Sequence, residues 1–290
     1  MAITVNTNIP SLTAQKSLNK ATNAMNTAME RMSTGYKINS SKDDAAGMAV
    51  ATNLTYKASS FKVAQDNAQM GQSMLDTTEG VLDVIKDNLT RVRDLTEQAA
   101  NGTYGTDALD AINSEISARL GEITRVSASA DFNGKKLLNG SITNDIELQV
   151  GIGTTGSNST INVAKEIFKN ADAKALINDN DFFKTEGDKD VFKGLSGDAN
   201  ARDFLAKVDD AIKTVTSRKT TIGGLQSRIS SAMETANVMY TNLTSAASLI
   251  QDADVAEESS NYIKQQILQQ TSASLLATAN QAPSIASSLI

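Results

Sequence analysis

The sequence contains no histidine, no cysteine and no tryptophan, and only 2 prolines among 290 residues. Without imidazole or thiolate there is no Ser-His-Asp triad, no cysteine nucleophile, and no histidine or thiolate metal site. Most enzyme classes are thereby set aside, and no catalytic residue, cofactor or metal is expected. The lack of cysteine also excludes a disulfide framework, so composition does not choose between reducing and oxidising compartments. Aromatic residues make up only 4% of the protein, and no run approaches the roughly 20 apolar residues that a membrane-spanning helix needs. The opening residues carry no basic stretch followed by an apolar core, so no cleavable secretory signal is expected. Formal net charge is -6, with no Lys/Arg stripe. Neither nucleic acid nor membrane is therefore an expected partner.

What is present favours helix. The hydrophobic fraction is 40%, enough for real cores, and it is mostly Ala, Leu, Ile, Val and Met. Ala14, Leu18, Ala21, Met25, Ala28 and Met32 recur in steps of four and three, a narrow seam on one helix face. Met74, Val81, Ile85, Val92, Leu95 and Ala99 form a second seam, widened by Leu75, Leu82 and Leu89, which implies burial against several helices. After the breaks at Asn101-Gly102 and Tyr104-Gly105, Leu109, Ile112, Ile116, Leu120 and Ile123 line a third helix that doubles back, with Asp107 as its expected N-cap.

Ile146, Leu148, Val150 and Ile152 then alternate with polar residues as a half-buried strand does, and a hairpin with Ile161 and Val163 is expected. The stretch from about 165 to 200 is charged and irregular, and reads as an exposed insertion. Beyond it Ile222, Leu225, Ile229, Ala232, Ala236, Met239, Leu243, Ala246 and Ile250 keep one seam over roughly 42 Å of helix. Leu275, Ala279, Ala282, Ala286 and Leu289 repeat the spacing at the end, with Pro283 expected to kink or loosen that helix.

Both ends thus carry narrow seams of small residues among Ser, Thr and Asn, too weak to hold a helix alone. Two readings stay open on periodicity: a monomeric helical bundle, or a subunit whose ends order on association. The pairs Asp43-Asp44 and the acidic residues Asp252, Asp254, Glu257 and Glu258 fit helix capping and a charged face better than metal chemistry.

Longer motifs separate the readings. Residues 30–51 (ERMSTGYKINSSKDDAAGMAVA), 89–103 (LTRVRDLTEQAANGT), 132–140 (FNGKKLLNG), 241–260 (TNLTSAASLIQDADVAEESS) and 266–283 (QILQQTSASLLATANQAP) closely resemble the bacterial flagellins. The resemblance covers most of the sequence and implies a mainly α fold: a long antiparallel helical bundle or coiled coil with a small β-hairpin region in the middle of the chain. It implies a terminal coiled-coil domain from residues 1–43 and 251–290, disordered in the free monomer. A rod-shaped helical domain from 44–164 and 201–250 follows, with the hairpin near 142–163 and a short variable insertion at 165–200.

The function so implied is a non-enzymatic subunit of the extracellular flagellar filament, exported unfolded through the flagellar secretion channel and used for motility. The expected partners are further copies of the same protein, a flagellar export chaperone and the export apparatus, hook-associated and cap proteins, and a host Toll-like receptor. Polymerisation seams are expected at Leu18, Met25, Met32, Leu275, Ala279, Ala282, Ala286 and Leu289, and an innate-receptor contact patch at Arg91, Leu95 and Glu115. The competing reading in the same class is a hook-associated junction protein. An embedded enzyme domain would need more than the 165–200 segment offers, and a soluble helical adaptor would show ordered ends in dilute monomer.

Overall fold

The computed structural model describes residues 7–153, 159–179, 181–186 and 189–287. Six α-helices account for most of them: α1 (Ile9–Thr34), α2 (Ala45–Ala99), α3 (Thr106–Ser129), α4 (Ala173–Ile177), α5 (Asp198–Gln251) and α6 (Val255–Ser287). Three antiparallel hairpins lie between α3 and α5: β1 (Asp131–Phe132) with β2 (Lys135–Lys136), β3 (Ile146–Gln149) with β4 (Thr160–Val163), and β5 (Phe183–Glu186) with β6 (Lys189–Phe192). The protein divides into a terminal unit, Met1–Ala58 with Tyr240–Ile290, and a middle unit, Ser59–Met239. The division falls inside α2 and α5, not at helix ends.

In the middle unit α2 and α5 run antiparallel in a register that polar bonds make visible. Gln226 donates to Asp76 and Glu79, both at 2.9 Å, Lys219 pairs with Asp83, and Arg93 Nε donates to Asp209 at 2.8 Å. Each step along α2 is matched by an equal step back along α5. Beneath these exposed pairs the wide seam of α2 is buried at Leu75, Leu82, Ile85, Leu89, Val92, Leu95 and Ala99, and that of α5 at Phe204, Val208, Val215, Ile222 and Ile229. Burying each large apolar side chain contributes about 1.5–3 kcal/mol, whereas exposed ion pairs contribute about 0–1. The apolar seam therefore holds the pair, and the charges select its register.

α3 returns antiparallel along α2, with Ile112, Ile116, Leu120 and Ile123 buried. Glu115 accepts from Arg91 at 2.8 Å, and Arg119 Nη1 donates to Asn88 at 3.4 Å. Its N-cap is Gly105, which offers no side chain, and Asp107 stands instead in the first turn. There its charge complements the helix dipole without capping an amide. Buried hydroxyls are satisfied locally: Thr78 and Thr96 donate to the carbonyls of Met74 and Val92 one turn back, at 2.8 and 2.7 Å.

The expected hairpin forms, with Ile146 opposite Val163 and Leu148 opposite Ile161. Val150 and Ile152 lie beyond it. The hairpin meets α2 where Asn67 Nδ2 donates to the Gln149 carbonyl at 3.3 Å and the Leu148 side chain lies over Gly71, so that a β-carbon there would press on Leu148 Cδ1. Gly71 gives the Leu148 side chain its place against the helix, although glycine is ordinarily unfavourable within one.

The segment from 165 to 197 differs from the exposed insertion that its charge suggests. A 3-10 turn (Lys165–Phe168), α4 and the β5–β6 hairpin carry Ile167, Phe168, Leu176, Ile177, Phe182, Phe183, Phe192 and Leu195 into the core. Phe182 and Phe192 rest on Phe204 of α5, with ring centroids 4.9 and 5.1 Å apart. Asn113 on α3 acts as a strand edge, exchanging both amide bonds with Leu195 at 2.8 and 3.2 Å. Arg218 on α5 donates to the Lys169 and Asn170 carbonyls at 2.9 and 3.4 Å. A short segment with few apolar residues becomes ordered because a long helix supplies the missing surface.

Phe204 is the centre of that aromatic cluster. Phe204→Ala should destabilise the middle unit by about 3–5 kcal/mol, read from urea denaturation followed by far-ultraviolet circular dichroism. A loss below about 1 kcal/mol would mean that the cluster does not hold the segment in place.

Candidate assembly surface

In the terminal unit, α1 begins with Asn8, whose side chain accepts from Ser11 N at 3.1 Å, and Pro10 occupies the first turn, where its missing N–H costs nothing. The helix ends at Gly35, in the left-handed region at φ 75°, with its N–H donating to the Arg31 carbonyl. The backbone then runs beside the start of α6. Lys37 N donates to Gln251 O at 2.7 Å and Ala253 N to Gly35 O at 2.9 Å, on either side of a bridge between Tyr36 and Asp252.

The 38–47 motif makes the turn into α2. Asp43 accepts from Ser40 N and Ser40 Oγ at 3.0 Å and from Asn39 N at 3.2 Å, and the Ser40 bonds above all hold its carboxyl below the usual range. Asp44 caps α2, accepting from Gly47 N at 2.9 Å. Ile38 is buried beneath, and a β-carbon at Gly47 would stand 2.7 Å from its Cδ1. The paired aspartates are structural caps, and a β-carbon at 47 would press on the ends of the Asp44 and Ile38 side chains.

α1 and α6 pack antiparallel, joined by Arg31–Glu258 at 2.9 Å, Gln269–Thr22 at 3.0 Å, Ser11–Asn280 at 2.7 Å and Asn8 Nδ2 to Ala279 O at 2.8 Å. On α1 the expected seam faces the partner helix: Ala21 and Ala28 are buried, and Leu18, Met25 and Met32 half-buried. On α6 the seam runs through Glu258, Tyr262, Gln265, Gln269, Ser272, Leu276 and Ala279, all buried or half-buried. Leu275 is 59% exposed. The heptad reaches Ala279 from either leucine, and adjacent residues differ by about 100° around the helix. Packing selects Leu276. Ala282 and Ala286 lie on the α6 backbone, but their side chains, and Leu289 altogether, lie outside the described residues.

The α6 face toward α1 is therefore largely polar, while Ile263, Ile267, Leu268 and Leu275 are exposed. On α1, Ile9, Leu12 and Met29 are exposed likewise. A second exposed apolar row lies on α2 in the middle unit, where Val63, Met70 and Val84 share one heptad register and are 56, 60 and 44% exposed. Sequence reasoning missed this row because the inner seams of the same helix repeat with the same period.

Arg91 and Glu115 form an accessible ion pair at 2.8 Å. Their hydrogen bond raises the Arg91 pKa and lowers that of Glu115. Leu95 does not share that surface: it is 2% exposed, inside the α2 seam. Its i,i+4 spacing from Arg91 follows the edge of the stripe that α3 and α5 cover. No group of residues suited to hold a metal ion occurs among the described residues, and no described helix is long and apolar enough to cross a membrane.

Comparison with known proteins agrees with this architecture. Residues 5–143 match the family described as bacterial flagellin N-terminal helical region, and residues 205–289 match the bacterial flagellin C-terminal helical region. Flagellin D of Vibrio anguillarum is 31% identical, with both proteins fully covered over 377 aligned positions. That alignment exceeds the 290 residues here, so the relative is the longer of the two. The crystal structure of Bacillus cereus flagellin is 28% identical with a TM-score of 0.47, covering 63% of this chain and 94% of that one. A structure described as a flagellar hook-associated protein from Vibrio parahaemolyticus, at 17% identity, shares the fold with a TM-score of 0.50 over 70% of this chain and 98% of its own.

The Arg91–Glu115 bond favours the carboxylate. Whatever it contributes to folding is fully present above the unfolded carboxyl's pKa and is lost as pH falls through the lowered folded value. Arg91→Ala should return the Glu115 carboxyl toward the ordinary glutamate range in an NMR titration. An unchanged Glu115 would assign its low pKa to some other group.

Proposed function

This chain belongs to the bacterial flagellin family, and from that premise we propose that the outward apolar faces of α1 and α6, together with the Val63–Met70–Val84 row of α2, are the surfaces on which its copies join. As a flagellin it is a non-enzymatic structural subunit of the extracellular flagellar filament and serves motility. Self-assembly is the family's property. The observation that carries the proposal is the orientation of α6, which turns glutamine, serine and glutamate toward α1 and leaves Ile263, Ile267, Leu268 and Leu275 outside.

Such a pair gains little from its own seam. At about 25 cal/mol per Å2 of apolar surface, covering the outer face by a neighbour contributes more than the small-residue contact within the pair. The ends, residues 1–43 and 251–290, are accordingly disordered in the free monomer and order on joining. Leu18, Met25, Met32 and Ala279 set the spacing of the pair, and Leu275 contacts a neighbouring copy. Contacts between unlike faces that do not close on themselves generate an open helical filament.

Weakly self-sufficient ends also suit export unfolded through the flagellar channel, with an export chaperone holding the polypeptide and hook-associated and cap proteins receiving it at the growing structure. The accessible Arg91 and Glu115 pair offers a surface to a host Toll-like receptor, with Leu95 supporting it from below. Arg91→Ala should reduce receptor activation by monomer, and an unchanged response would remove Arg91 from that contact.

Removal of residues 1–35 or 255–290 should leave a soluble folded middle unit that forms no filaments by electron microscopy. The double substitution Ile267→Lys, Leu275→Lys should likewise abolish filaments while leaving the monomer's circular dichroism unchanged. Normal filaments from either variant would refute the assignment of these faces.

A further inference from the structure

Three Asn-Gly pairs occur in the sequence, at 101–102, 133–134 and 139–140. An asparagine followed by glycine is chemically labile because no side chain hinders the next amide nitrogen from reaching the asparagine carbonyl carbon. The structure places the three pairs in different surroundings. Asn133 sits at φ 50° in the tight turn between β1 and β2, and the Gly134 N–H is held by Asp131 Oδ1 at 3.1 Å. Asn139 has its side-chain oxygen fixed by Ser141 N at 3.0 Å, and Gly140, at φ 78°, lies against Asn170 directly after the buried Leu137 and Leu138.

Asn101 has the loosest side-chain bond among the three pairs. It lies in the exposed connection between the end of α2 at Ala99 and the start of α3 at Thr106. Its side-chain oxygen accepts only a long bond from Thr103 N, at 3.4 Å, and the Gly102 N–H has no partner among the described residues. A β-carbon at 102 would stand 2.8 Å from Oδ2 of the exposed Asp198 side chain at the start of α5, which can rotate away. The 101–102 pair thus combines the longest side-chain bond of the three with a glycine N–H unbonded among the described residues, while Asn101 N donates to Gln98 O at 3.1 Å and the Asn101 carbonyl accepts from Tyr104 N at 3.4 Å.

We propose that Asn101 is a site of spontaneous covalent modification in the folded protein. The Gly102 backbone nitrogen loses its proton and bonds to Asn101 Cγ. The bond from Cγ to Nδ2 breaks, and ammonia leaves with the transferred proton, giving a five-membered succinimide. Water then opens the ring at either carbonyl, yielding aspartate or isoaspartate. Both products place a new carboxylate on the loop that Asp198 already borders, and isoaspartate also lengthens the backbone there by one atom. The modification acts through like-charge repulsion at the junction of α2, α3 and α5.

The test ages the full-length protein in warm, mildly alkaline buffer, folded and in parallel in denaturant, and follows each Asn-Gly pair by peptide mass spectrometry. An isoaspartyl methyltransferase assay reports the isomer. In the folded protein Asn101 should convert several-fold faster than Asn133 and Asn139. In denaturant the three rates should converge, and Asn101→Gln should remove most of the methyl-accepting signal. A folded protein in which Asn133 or Asn139 converts first, or in which the ranking equals that of the denatured protein, overturns the proposal.

Discussion

The antiparallel pairing of α2 with α5 is the constraint on which the rest of the middle unit depends. Both helices exceed 50 residues, and in a protein most of a helix's stability comes from the packing of its apolar face. The wide apolar seam of each is covered by the other and by α3. The polar ladder from Asp76–Gln226 through Asp83–Lys219 to Arg93–Asp209 admits one register only. A slip of one residue would separate every pair and rotate the seam. Everything between α3 and α5 is then built on a platform whose geometry is already set. The hairpin lies over Gly71, and the aromatic segment closes on Phe204 and is clasped by Asn113 and Arg218.

The terminal unit obeys the opposite rule. Its helices are joined by amides, hydroxyls and one ion pair across alanines, while larger apolar side chains stay outside. A seam of this kind specifies spacing and direction at little gain in free energy, since each polar bond replaces one made to water. The same polypeptide therefore combines a middle unit with a large buried apolar core and ends whose larger apolar side chains are exposed.

The signature between Ile38 and Gly47 shows how one short stretch serves two helices. Asp43 closes the turn, Asp44 starts α2, Ile38 fills the space below, and Gly47 leaves room for it. None of these residues performs chemistry. Each is held by a hydrogen bond or a close contact, so a motif that superficially resembles a paired-carboxylate site is a device for ending one helix and beginning the next.

Local sequence was enough for the long helices, the inner seams of α2 and α3, the β3–β4 hairpin and the family, because these are properties of residues near one another in the primary structure: periods of 3.6 and 2, turn dipeptides and contiguous motifs. It did not determine which way an ambiguous stripe faces: Met239 of the expected α5 seam is 44% exposed. Leu275 and Leu276 fit the heptad equally, and only the position of α1 turns Leu276 inward. Leu95 follows the spacing of Arg91, yet α3 and α5 cover it. Val63, Met70 and Val84 repeat like a core seam and remain outside. The segment at 165–197 reads as surface because its few phenylalanines are scattered among charges, and their partner, Phe204, belongs to a later helix. In each case burial depends on what a distant part of the molecule brings alongside, a quantity that exists only once the tertiary structure has formed.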